Sequence, residues 1–410
     1  RIIITIIVVV LTTLLTGCTG KEPNEIAYVV ALGIDSTDDD NYKITIQYAN
    51  TTQISGGASE SGGKAGSEIV DNVTIEAPNI YAGVGLANNI VSKSFSMSHA
   101  KLIVFSKEIA EKGVKDMIET LVRSEEIRPD VFIAVANTTA NDYLTSVNPE
   151  MEVNPAQYYQ LIYQKNQLVG IPDGQLREFF TGLYTDNYDS ILPVAGVIDG
   201  SGGNSQNDDK GQSKDSQNEG SEGSSESLDS FESKNSDENE KEKDAEKNTS
   251  KYEYDIKNYV GGETTIEKKN KAEAIGAAVF EKDKMVGELG EVETEICKML
   301  KGDYTYSYLT YYNNDTPDIP ITVKTTQQKK PKYKIDTDKK TVDIELYIES
   351  DLYSLPADYN VENKIEDFER DVANYTSSAC TEFINNFTKK YNSDILKLNE
   401  KVKYKFLTNN

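Results

Sequence analysis

Apolar residues recur along the chain with two periods, and the switches between them mark the elements. Ile26 to Ile34 is a nearly continuous apolar run closing on Gly33-Ile34-Asp35, the pattern of a strand buried on both faces. Tyr42 to Tyr48 alternates strictly, as a half-buried strand does. Pro78 to Val91 predicts a helix with Pro in its first turn; Lys101 to Phe105 reads as a strand. Lys107 to Val122 reads as one helix with Ile109, Met117, Ile118, Leu121 and Val122 inward. Val131 to Ala136 is a short strand, followed by helices near Pro155 to Asn166 and Asp173 to Leu183 and a strand over Ile191 to Ile198. Glu273 to Phe280 and Met285 to Leu289 make a hairpin across Glu281 to Lys284.

The last part has its own pattern. Tyr304 to Tyr312, Ile319 to Thr325 and Thr341 to Ile348 are rich in Tyr and β-branched residues, which favour pleated surfaces. A long helix follows, striped by Val361, Ile365, Phe368, Val372, Tyr375, Ala379, Phe383, Phe387 and Tyr391. The stripe fits a coiled-coil seam, but strands immediately precede it, which favours a helix packed across their sheet. The fold class is α+β: three small domains, each a mixed sheet with packed helices, ending in a long C-terminal helix. The boundaries expected are 1–17 for a signal segment, 18–185, 186–300 and 301–410.

Two stretches interrupt this alternation. Ser55 to Gly66 is Gly/Ser-rich, and its Gly63-Lys64 is no phosphate loop: Ala58 stands where the first Gly belongs and Ala65 where a Ser or Thr would reach magnesium. Asp199 to Ser250 holds 15 acidic and 6 basic residues with Leu228 and Phe231 almost its only large apolar ones. Such a composition cannot offset its ordering entropy, so 199–250 is expected to be a disordered insertion within the middle domain.

The N-terminus adds a signal of another kind. Arg1 precedes the apolar run Ile2 to Leu15, and Leu15-Thr16-Gly17-Cys18 follows, in the order of a secretory leader. The run is too short to span the ~30 Å hydrocarbon core comfortably. The pattern resembles the lipobox of bacterial lipoproteins, whose cysteine receives a diacylglyceryl group. An ordinary signal peptide or an uncleaved anchor is the alternative. Under the first reading Cys18 is the lipidation site and the protein is tethered outside the cytoplasm. Arg1 stands where an initiator methionine would, as expected of a sequence lacking its first residues.

Charge and chemistry narrow the function. A net charge of −25 over 410 residues argues against nucleic acid, whose phosphates need clustered Lys and Arg. The basic cluster Lys329, Lys330, Lys332 and Lys334 around Pro331 reads as a solvated edge between strands or a contact for an acidic partner. One histidine, His99, forecloses multi-His metal sites and is expected to be structural. Asp38-Asp39-Asp40 lacks the alternation of a calcium loop and reads as a solvated turn. Cys297 and Cys380 lie beside apolar stripes, as buried free thiols or as a disulfide in an oxidising compartment. No catalytic, metal or cofactor site emerges, so no enzymatic activity is expected.

Scattered pieces carry a resemblance. They are the lipobox; Asn24-Glu25-Ile26-Ala27 leading to Gly33-Ile34-Asp35; Ser98-His99-Ala100-Lys101-Leu102-Ile103-Val104; Arg123 to Pro129; Leu192-Pro193-Val194; Ala277 to Leu289; and Asn392-Ser393-Asp394-Ile395-Leu396. In this order they resemble the GerC-type, Ger(x)C, lipoprotein subunit of bacterial spore germinant receptors. The departures are Thr19-Gly20 after the cysteine, where the family commonly has Trp-Asp, the lack of any Trp, a missing basic tail after Phe406, and the acidic insertion. The resemblance implies three α+β domains and a non-catalytic subunit at the outer face of the spore inner membrane. It further implies integral-membrane receptor subunits as partners. The alternative is a solute-binding lipoprotein of a transporter, which the small-domain pattern and terminal helix fit poorly.

Overall fold

The computed structural model describes residues 2–3, 25–39, 41–49, 70–149, 152, 154–164, 170–185, 188–198, 258–264, 270–313, 316–354 and 365–408. Cys18, Val361, the 55–66 loop and the 199–250 insertion lie outside the described residues.

One large sheet runs in the order β3 (Val70–Ala77), β2 (Tyr42–Ala49), β1 (Ile26–Ser36), β5 (Leu102–Ser106), β6 (Phe132–Ala136), β7 (Ile191–Val197), β8 (Ala272–Glu281) and β9 (Lys284–Leu289). The short β4 (Ser94–Ser96) pairs with the start of β1. The middle of the sheet, β1-β5-β6-β7, is parallel, and antiparallel strands extend it on both sides. Parallel strands are covered on both faces, which is why β5 and β6 are buried at every residue.

Side-chain alternation sorts the strands into two cores. Ile103, Phe105, Ile133 and Val135 face one, with Ile80, Ile118 and Phe179 from helices α1 (Ile80–Ala87), α3 (Lys115–Val122) and α6 (Leu176–Tyr184). Leu102, Val104, Phe132 and Ala134 face the other, against α4 (Ala140–Ser146) and α5 (Pro155–Gln164). A register shift between Val29 and Ala31 reverses the parity of β1, so Val29 and Leu32 serve the first core while Val30 and Ala31 serve the second.

Some local expectations need correction. The helix expected over Lys107 to Val122 is two, α2 (Lys107–Lys112) and α3, because Gly113 takes φ +123 and a side chain there would run into Asp283. The Val114 N–H then donates to the Asp283 carbonyl at 3.0 Å, and Val122 turns outward. Helix α1 is also shorter than Pro78 to Val91.

The second sheet has the order β10 (Tyr306–Asn313), β11 (Thr316–Asp336), β12 (Thr341–Ser354). Strand β11 is longer than expected and carries Lys329 to Lys334 inside it. One of its register shifts, between Lys329 and Lys332, spans Pro331, which has no N–H to donate. Helices α7 (Glu291–Lys301), α8 (Ile365–Lys390) and α9 (Leu398–Thr408) complete the chain. Helix α8 buries Phe368, Val372, Tyr375, Cys380, Phe383 and Phe387, so the stripe passes through Cys380 in place of Ala379.

These elements share cores across the expected boundaries. Strands β6 and β7 pair across 185/186 within one sheet. Across 300/301, Ile191, Ala277, Val279 and Leu289 of that sheet cluster with Cys297 and Leu300 of α7 and with Cys380, Phe383 and Phe387 of α8.

The residues flanking 199–257 are held to β8 and its approach. Ile198 N–H donates to the Lys271 carbonyl at 2.8 Å, and Gly261 N–H to Ile275 at 2.9 Å. The Glu273 carboxylate accepts from the Gly262 N–H, and the Asn137 amide donates to the Gly261 carbonyl. Gly196 and Gly261 approach backbone to backbone with no room for a Cβ on Gly196. Asn258 then caps α7, its Oδ1 accepting from Val292 N–H at 3.0 Å.

Candidate functional site

Strand β12 alternates apolar and polar residues from Val342 to Glu349, and Ser350 and Tyr353 interrupt the pattern toward its end. Val342, Ile344, Leu346, Ile348 and Leu352 point to one face, and Asp343, Glu345, Tyr347, Glu349 and Asp351 to the other. On the apolar face, α8 stands off the strand. The helix packs over β10, where Tyr311 lies 5.7 Å from Tyr375 and 6.3 Å from Phe368, centroid to centroid. Its far end reaches β9, where the Tyr391 ring covers Gly287, leaving no space for a Cβ, and the hydroxyl donates to the Glu288 carbonyl at 3.3 Å. Held at both ends, α8 leaves a groove of about 960 Å³ against β12. Ile344, expected under the helix, is only half-buried, and the rim residues Val342 and Ile365 are 38% and 54% exposed.

The groove has a mixed lining, with Glu349, Ser350, Glu369, Thr376, Ser377, Thr381 and Asn385 among its apolar side chains. Thr381 on α8 spends its hydroxyl on the Ser377 carbonyl at 2.8 Å. Thr376 Oγ1 is buried with no hydrogen-bond partner among the described residues. Small-molecule sites of this volume combine apolar walls with a few convergent polar groups. This one has along β12 a long apolar floor, which also suits an extended segment.

The charged face of β12 meets the lysines of β11. The register sets Lys332 against Glu345, Lys334 against Asp343, Lys329 against Tyr347 and Lys324 against Asp351. The lysines lean on rings: Lys329 and Lys332 lie 5.1 and 4.8 Å from the Tyr347 centroid, and Lys324 lies 4.7 Å from that of Tyr306. Lys332 also reaches Glu345 at 3.9 Å. Asp343, Glu349 and Asp351 have no Lys or Arg within 4.0 Å among the described residues.

The residues singled out in the sequence lie elsewhere and are not gathered into one site. His99 is exposed before β5, its ring edge on Tyr28 at 4.8 Å and its Nδ1 3.0 Å from Ser98 Oγ. Cys297 and Cys380 are both buried and both free. Burial pushes their thiols up to about 11 and about 12, which suppresses the reactive thiolate. Among the described residues no group of three His, Cys, Asp or Glu side chains is placed to hold a metal ion. No described helix is long and apolar enough to cross a membrane.

Sequence reasoning missed a buried polar cluster on α7. Glu295 accepts from the Ser307 hydroxyl at 3.0 Å, and Lys298 Nζ donates to the Ile171 carbonyl at 3.1 Å. Burial raises the Glu295 carboxyl from 4.5 to about 8, Glu291 adds to the rise, and Ser307 and Lys298 oppose it. A carboxyl whose folded pKa is raised adds stability that is full below 4.5 and lost as pH rises through about 8. Glu295→Gln is therefore expected to melt near wild type at acid pH and above it at alkaline pH. A melting series across that window checks this, and a gap that narrows as pH rises would contradict the sign.

An α+β chain with a wide mixed sheet, a second sheet and a helix clamped between them carries its conspicuous surface on β12 and α8. Comparison with known proteins places this chain. Residues 20–197 match the spore germination protein N-terminal domain, and residues 275–409 match the C-terminal domain described as spore germination B3/GerAC like. The chain belongs to the GerAC-like family of spore germination proteins. It is 28% identical over 162 residues to spore germination protein KC of Bacillus subtilis (strain 168), covering 36% of this chain and 40% of that relative. It is 26% identical over 148 residues to spore germination protein B3 of the same organism, covering 34% and 36%. The crystal structure of the GerBC protein aligns with 89% of this chain and 84% of its own, at 14% identity and a TM-score of 0.45.

Proposed function

We propose that this protein is a non-catalytic, lipid-anchored subunit of a membrane receptor for nutrient germinants, acting at the start of spore germination. The observation that carries the reading is the match of both ends of the chain to domains of spore germination proteins. The Leu15 to Cys18 motif supports the anchor, with two acyl chains on Cys18 holding the protein at the extracytoplasmic face of the spore inner membrane. Its partners in this reading are the integral-membrane subunits of the receptor. The division into 18–185, 186–300 and 301–410 is proposed as one of sequence units that share the large sheet and its cores. The buried, raised thiols of Cys297 and Cys380 fit a scaffold better than a nucleophile.

Spores of a strain lacking the gene test the function against a panel of nutrients. The expected result is loss of germination with one class of nutrient and a normal response to a non-nutrient trigger. Unchanged germination with every nutrient, alone and in mixtures, would overturn the reading.

A further inference from the structure

We propose that β12 is an acceptor edge for an extended segment of a partner protein in which apolar residues alternate with Lys or Arg. The inference goes beyond the receptor reading and stands independently of which protein supplies the segment. It rests on the juxtaposition of an open strand edge, an apolar groove and a row of carboxylates.

Among the described residues strand β12 pairs only with β11, so with respect to them its other edge presents backbone N–H and C=O groups along a strand spanning Thr341–Ser354. Edges of this length are usually shortened, bulged or covered, because they template pairing with another chain. Two of the register shifts place their extra residue on β11, around Pro331, and the third falls at Tyr353 of β12, so the outer edge runs without a shift from Thr341 to Leu352. A strand added to this edge gains main-chain hydrogen bonds, and pockets for alternate side chains set its sequence. Its apolar residues would extend the floor formed by Ile344, Leu346 and Ile348, under α8. Its other residues would lie beside Asp343, Glu345, Glu349 and Asp351, directly opposite or on the diagonal.

Charge selects the occupant. A second copy pairing through β12 would bring two rows of carboxylates together, and like charges facing across a ladder destabilise it. A basic strand would neutralise Asp343, Glu349 and Asp351, which form no ion pair within 4.0 Å among the described residues although Lys334 and Lys324 stand opposite Asp343 and Asp351 on β11 and Gln328 donates to Glu349. The acidic row taken alone would be ordinary protection of an edge. Protection alone, however, gives no role to the half-buried apolar face behind it, where Ile344, Leu346 and Ile348 pack only in part against the core.

The test uses the full chain and a fluorescent Val-Lys repeat peptide about ten residues long, within the usual length of a strand. The expected result is saturable binding that weakens with salt, as a charge-paired complex does, with a Val-Glu repeat failing to bind. Two further peptides carry N-methyl groups on alternate residues, in the two possible phases. A strand adding to one edge uses one set of N–H groups, so one phase should lose binding at least tenfold and the other keep it. Equal binding of both phases, loss in both, or no binding of the parent peptide would overturn the proposal. In the chain itself, D343K, E349K and D351K together should weaken Val-Lys at least tenfold and admit Val-Glu, with melting recorded alongside. The peptide comparisons need no variant and decide the question even where the triple substitution unfolds the sheet. Tighter binding of palmitate than of Val-Lys in the same groove, or dimerisation of the chain through β12, would assign the surface to another occupant and overturn the proposal.

Discussion

Cys18→Ala is expected to move nearly all of the protein from the membrane fraction to the soluble fraction. The reason is arithmetic on acyl chains. Each buried methylene contributes about 0.8 kcal/mol, one chain gives marginal and reversible attachment, and two give a stable anchor. A chain of net charge −25 gains no attraction from anionic lipid that would compensate. Fractionation of cells expressing wild type and variant measures the shift, and mass spectrometry of the wild-type N-terminus looks for the diacylglyceryl adduct. Retention of the Ala variant in the membrane fraction, or an unmodified Cys18 in the mature wild type, removes the anchor from the proposed function.

Phe280→Ala should produce the largest loss of stability. Its ring on β8 is fully buried and meets the buried Phe179 of α6 edge to face, with centroids 4.9 Å apart. Truncating a buried Phe costs about 3–5 kcal/mol. The aromatic pair adds about 0.5–1.5 kcal/mol beyond area. The contact joins the chain before the acidic insertion to the chain after it. Both sides of the large sheet should therefore unfold together, and calorimetry should show one shifted transition. A second transition at the wild-type temperature would mean that the sheet up to β7 is stable without β8.

The sequence showed elements whose signal is local. Strands β1, β5 and β6 are legible because burial on both faces demands unbroken apolar runs, and α8 because its stripe repeats over seven turns. Helix α4 was not legible. Ala140 to Ser146 holds polar and β-branched residues that favour caps and turns over helix interiors. Its N-terminus is held from far away: the buried Asp35 carboxylate accepts from Ala140 N–H at 2.6 Å and Asn141 N–H at 3.0 Å. The break at Gly113 likewise depends on Asp283, and β11 continues through Pro331 because a bulge absorbs it. The candidate surface was half legible. The alternation of β12 is plain in the sequence, but the groove exists only because Tyr311 and Gly287 hold α8 away from that strand.

The anchored roots of the acidic segment offer an experimental handle. Ile198 and Gly261 are both pinned beside β8, so the chain leaves the sheet and returns to it within one neighbourhood. Loop-closure entropy changes by only about 0.6 kcal/mol per doubling of length. A fluorescent protein grafted between 199 and 250 would therefore be carried as a pendant, leaving Cys18, the residue proposed to carry lipid, and the C-terminal helix untouched. Such a fusion allows the protein to be followed by light microscopy in living spores, where a label beside Cys18 or α9 would disturb the proposed anchor or that helix.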